Sequence, residues 1–71
     1  MRNEFQTDNT IIAYIDGKAI VEDELGELYY CEMPEDFVTI GETMFDEDLT
    51  PISELSIMEQ YNIRSQLAEV L

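Results

Sequence analysis

The sequence predicts an α+β domain: a small antiparallel sheet of three or four strands with a C-terminal helix packed on one face. Three observations predict it. Asp16-Gly17 stands between two apolar runs at residues 10–15 and 18–21, residues 27–33 alternate in the manner of a strand, and Ser56 and Glu59 open a segment with helical periodicity.

Residues 1–9 form a polar lead-in, expected to be mobile apart from Phe5, ahead of a single acidic domain spanning 10–71. The run Thr-Ile-Ile-Ala-Tyr-Ile at 10–15 is β-branched and aromatic, which suits a strand. Asp-Gly follows at once, and glycine accepts a positive φ without steric cost, so the pair reads as a two-residue hairpin loop. That loop sets Ile15 opposite Lys18, Tyr14 opposite Ala19 and Ala13 opposite Ile20. One hairpin face should then carry Ile12, Tyr14, Ala19 and Val21, and the other Ile11, Ala13, Ile15 and Ile20. Both are apolar, so the face left over from the core needs a helix or a second chain to cover it.

Residues 22–26 read as a charged turn and 27–33 as a third strand, with Tyr29 and Tyr30 on opposite faces. Pro34 ends that strand because it has no amide proton to donate. Residues 37–40 offer a fourth strand before Gly41, and Met44-Phe45 with the acids after it reads as a surface loop. Thr50-Pro51 suits a short turn ahead of the helix. Ser56 and Glu59 have capping-box spacing, the serine oxygen accepting the amide three residues on while the glutamate reaches back. On the helical wheel Ile57, Tyr61, Ile63, Leu67, Ala68, Val70 and Leu71 share a broad apolar arc. Gln60 and Arg64 fall inside that arc, which leaves open whether the whole face is core or interface.

Seventy-one residues, 45% of them hydrophobic, make one domain with a thin stability margin. One cysteine and no histidine exclude an internal disulfide and the spacing of a zinc site. Tight packing or self-association, such as a homodimer, is expected to supply the balance. A lone thiol, a start without a signal-peptide pattern and no apolar run of ~20 residues point to a soluble, cytoplasmic protein that does not enter a membrane.

Catalysis is not expected. Nucleophilic triads lack their histidine, no glycine-rich phosphate loop is present, and paired carboxylates need a cleft that raises one pKa. Asp46, Asp48 and Thr50 alternate like the start of an EF-hand loop, but Pro51 and Ile57 occupy the glycine and bidentate-glutamate positions. No cofactor or metal is therefore expected. Cys31, with no nearby lysine or arginine in sequence to lower its pKa, reads as a small buried hydrophobe. Arg64 reads as an ion-pair partner for one of many carboxylates.

The functional signal is charge. Three basic residues face seventeen acidic ones for a net charge of −14, and the chain is too apolar to be a disordered acidic tail. No basic residue lies between Lys18 and Arg64, a stretch that holds thirteen carboxylates in clusters separated by apolar anchors. Direct binding to nucleic acid or anionic lipid is disfavoured, because phosphate contacts need lysine and arginine. A compact fold with clustered carboxylates instead imitates the field of a nucleic acid and attracts the same basic clefts. The partner-binding residues are expected to be Glu22, Asp23, Glu24, Glu27, Glu35, Asp36, Asp46, Glu47 and Asp48.

In charge and size alone the chain resembles small phage-encoded nucleic-acid mimics, acidic proteins that block DNA-handling enzymes. The expected function is that of an inhibitor or regulator on a basic, nucleic-acid-binding surface of another protein. The rival expectation is a structural or adaptor protein acting through an apolar helix or sheet face. Acidity serving solubility alone is the third reading.

Overall fold

A computed structural model describes residues 9–44 and 48–70. Four strands form one antiparallel sheet in sequential order: β1 (Thr10–Ile15), β2 (Lys18–Glu22), β3 (Leu28–Glu32) and β4 (Thr50–Pro51), followed by the helix α1 (Ile57–Val70). Among the described residues no helix is long and apolar enough to cross a membrane.

The first hairpin turns at Asp16-Gly17, with φ of 51° and 78°. Two successive positive φ values define the type I′ loop, whose twist matches that of the strands it joins. The register follows from the loop: Ile15 pairs with Lys18, Tyr14 with Ala19 and Ala13 with Ile20. It then slips. Ile11, not Ile12, lies opposite Val21, so Ile12 is the extra residue of a β-bulge. The slip corrects the two faces expected from strict alternation. Ile11 joins Ala19 and Val21 on one side, while Ile12 packs with Ala13, Ile15 and Ile20 on the other.

Both faces are covered from within the chain. On one, Ala13, Ile15 and Ile20 meet Ile63 and Leu67 of α1, flanked by Leu28, Tyr30 and Leu55. On the other, Ile11, Ala19 and Val21 lie beneath Met33, Val38, Met44, Leu49 and Tyr29. The tyrosines at 29 and 30 therefore serve opposite faces, as alternation requires. Ala19, Ile20 and Val21 run consecutively buried because β2 is roofed on both sides. The second face needs no second chain, since the irregular segment after β3 covers it.

That segment is not the strand expected at 37–40. A 3-10 turn occupies Glu35–Phe37, and the fourth strand forms instead at Thr50–Pro51, where a turn was expected, with Tyr29 opposite Pro51 and Tyr30 opposite Thr50. Proline is tolerated there because β4 is an edge strand of two residues. The outer edge of β1 is also closed. The Ile11 amide donates to the Glu42 carbonyl and the Gly41 amide to the Ile11 carbonyl, both at 2.8 Å, and Thr10 bridges Thr43. Asn9 belongs to this domain rather than to a mobile lead-in: it is 1% exposed and its side-chain amide donates to the Met44 carbonyl at 3.1 Å. The rest of the lead-in, Phe5 included, lies outside the described residues, as do Phe45 and Leu71.

The capping box forms as its spacing predicts. The Glu59 amide donates to Ser56 Oγ at 3.2 Å and the Ser56 amide to Glu59 Oε1 at 3.4 Å. A second 3-10 turn, Ile52–Glu54, leads into it and buries Ile52. The expected apolar arc divides in two. Ile63 and Leu67 are buried, whereas Ile57 and Tyr61 are 78% and 71% exposed and Ala68 is also exposed. At ~100° per residue the two groups are centred about a third of a turn apart, so the flank that docks on the sheet excludes the other. Gln60, polar within that arc, donates to the Leu55 carbonyl at 2.9 Å and so secures the entry to the helix. Arg64 is exposed and forms no ion pair among the described residues, contrary to the role expected of it.

Candidate partner-binding surface

Every described carboxylate except that of Asp23 is exposed. The expected binding residues do not form one continuous patch. Glu22 closes β2 opposite Leu28, and Asp23, Glu24 and Glu27 follow in the connection to β3, so these four gather at one end of the sheet. Glu35 and Asp36 lie past the opposite end of β3, in the 3-10 turn after Pro34. Asp48 lies two residues before Thr50, which pairs antiparallel with Tyr30, so it sits toward that same far end. The five residues of β3 separate the two acidic poles by roughly 16 Å of strand, at about 3.3 Å per residue. Asp46 and Glu47 lie outside the described residues.

Asp23 differs from its neighbours in being structural. Its Oδ1 accepts the backbone amides of Leu25 at 2.9 Å and Glu27 at 2.8 Å, and the Tyr29 hydroxyl donates to Oδ2 at 3.3 Å. The backbone closes the same turn, the Gly26 amide donating to the Asp23 carbonyl and the Asp23 amide to the Glu27 carbonyl, each at 3.0 Å. An aspartate that accepts amides two and four residues on fixes the turn's shape. It thereby holds Leu25 out at 82% exposure between carboxylates. Spacing alone marks Glu22-Asp23-Glu24 as three equivalent charges. Their roles part only once the backbone turns.

Beside this turn lies an open cleft of about 460 Å³, lined by Leu25, Tyr29, Leu49 and Pro51 with Asn9, Asp23 and Glu24. Sequence reasoning does not find it, because β4 comes from a distant part of the chain. Its lining joins apolar carbon to carboxylate oxygen. Glu24 accepts no hydrogen bond among the described residues.

Two other side chains have chemistry to consider. Cys31 is half-buried rather than buried, and its thiol pKa is raised by burial first, then by the negative charges of Asp48 and Glu32. Each of these disfavours the thiolate, so the thiol is a poor nucleophile. Lys18 extends over the Tyr30 ring, its Nζ 6.0 Å from the centroid, and donates to the Asp16 carbonyl at 3.5 Å. Among the described residues no group of three or more acidic or thiol side chains is arranged to hold a metal ion.

No protein-family model matches the chain, and neither a curated protein nor a solved structure is significantly similar to it. Its functional reading therefore rests on its own surface.

Proposed function

We propose that this chain is a non-catalytic binding protein that inhibits or regulates another protein by occupying a basic, nucleic-acid-binding surface. The observation that carries this reading is the disposition of its charge. The chain carries a net charge of −14, every described carboxylate except that of Asp23 is exposed, and among the described residues no ion pair offsets them. Lys18 is half-buried against Tyr30, which leaves Arg64 as the exposed cation of the described surface. Such a surface repels nucleic acid and draws in whatever nucleic acid binds to. Acidic poles at both ends of β3 let it engage an extended basic groove at two points.

The test is capture of lysate proteins by the tagged chain at low and high salt, with displacement by double-stranded DNA. Electrostatic occupation of a nucleic-acid site weakens steeply with salt and is competed by DNA. Captured proteins that survive both treatments would overturn the reading.

One observation favours the second reading, of an adaptor or homodimer that docks through apolar contact. Ile57, Met58 and Tyr61 are 78%, 76% and 71% exposed along the first turns of α1. Apolar docking there gains little from low salt, so the same experiment separates the two.

A further inference from the structure

We propose that the cleft between the β2–β3 turn and β4 receives an arginine side chain from the basic partner. The proposal rests on the reading above and gives that partner a point of contact. Arginine is the side chain whose two parts match the two parts of the cleft. Its aliphatic stem lies along apolar surface while its head stays with polar groups, and the walls here are Leu25, Leu49, Pro51 and the ring of Tyr29. Its planar guanidinium takes a carboxylate through two parallel hydrogen bonds, and Glu24 lines the cleft with a carboxylate that accepts nothing among the described residues.

Asp23 contributes in a different way. Its Oδ1 is committed to two backbone amides and its Oδ2 to the Tyr29 hydroxyl, so it adds negative charge while Glu24 supplies the open oxygens. The same hydrogen bonds hold the cleft ready. They fix the turn, and with it Leu25, before a partner arrives, so little ordering remains for binding. An anionic ligand is repelled by both carboxylates, and a purely apolar one leaves them under-solvated. The mouth is broad, Leu25 and Pro51 both being exposed, which suits a side chain projecting from a protein surface.

The experiment titrates the full-length chain with octa-arginine and octa-lysine peptides of equal charge, following binding by calorimetry and backbone amide shifts. Two double variants are compared with the parent: Glu24→Gln with Leu25→Ala, and Glu35→Gln with Phe37→Ala. Each removes one carboxylate and one exposed apolar side chain, and both spare Asp23 and the buried core. The expected result is tighter binding of octa-arginine than of octa-lysine, with the largest shifts at residues 24, 25 and 49. The first variant should then bind octa-arginine about tenfold more weakly, and the second no more than about twofold. Equal weakening in the two variants would overturn the cleft while leaving a basic partner standing, since diffuse charge alone would then hold the peptide. Equal affinity for the two peptides would overturn the choice of arginine. Failure of both peptides to bind at low salt would sink the cleft and the basic-partner reading together.

Discussion

The Asn62 side-chain amide donates to the Asp16 carboxylate across 2.9 Å, joining the middle of α1 to the turn of the first hairpin. The two residues lie 46 positions apart. Asp16 is one of the turn's two positive-φ residues, a conformation aspartate tolerates better than most. Its side chain thus helps to seat the helix on the face formed by Ala13, Ile15 and Ile20. The turn that sets the strand register also touches the helix that covers it.

Gly17 is therefore a sensitive position for backbone reasons alone. An added Cβ there meets nothing within 4 Å, so side-chain crowding is no obstacle, but φ is +78°. Gly17→Val should cost about 1–3 kcal/mol, because a β-branched residue resists that region, while Gly17→Asn should cost much less. Thermal melting of the two variants checks this. Equal loss in both would mean that something other than φ governs the site.

The acidic turn should divide by role under mutation. Asp23→Ala removes the carboxylate that accepts two backbone amides and the Tyr29 hydroxyl and should destabilise by about 1–3 kcal/mol. Glu24→Gln removes an exposed charge from a surface already crowded with its own sign, so stability should hold or rise slightly. Urea unfolding of both resolves the difference. Comparable destabilisation in the two would show that the turn does not depend on the Asp23 carboxylate.

Two residues on α1 offer a comparison of burial. Leu67 is 7% exposed and packed with Ile15, Ile20 and Ile63, so Leu67→Ala should cost about 2–5 kcal/mol. Tyr61, at 71% exposure, should tolerate alanine within about 0.5 kcal/mol. In a domain this small the first loss should visibly populate the unfolded state. A large loss at Tyr61 in sedimentation-verified monomer would place the helix face wrongly on the sheet.

The Cys31 thiol should alkylate slowly at neutral pH, with its rate rising only above the ordinary thiol range of ~8.5. Its folded pKa is raised, so the neutral form is favoured by folding. The associated stability is fully present below the unfolded thiol's pKa and is lost as pH climbs through the folded value. Cys31→Ala should remove that part of the alkaline decline. Rapid iodoacetamide labelling at neutral pH, faster than for the unfolded chain, would contradict the raised pKa.

Local chemistry determined much of this protein directly from its residues. The type I′ turn, the pairing of Ile15, Tyr14 and Ala13 with β2, the third strand, the division of Tyr29 from Tyr30 and the Ser56–Glu59 cap all arise within a few positions of chain. Each follows from steric limits on φ, from period-two alternation or from unsatisfied amides at a helix start, and these act before any distant contact forms. The excess of carboxylates was equally plain in the residue order.

Tertiary structure decided the rest, because packing weighs alternatives that propensity leaves nearly equal. A bulge at Ile12 exchanged the faces of Ile11 and Ile12, letting both find cover. Residues 37–40 gave up the fourth strand to Thr50–Pro51, leaving Val38 to roof the second face beside Met33 and Met44. The helix buried only one flank of its apolar arc, since a sheet this narrow meets only that flank. The acidic run at 22–24 became one structural aspartate beside exposed glutamates, and the cleft next to it exists only where β4 crosses to Tyr29. Such choices depend on which surfaces meet, and no stretch of a few residues contains that information.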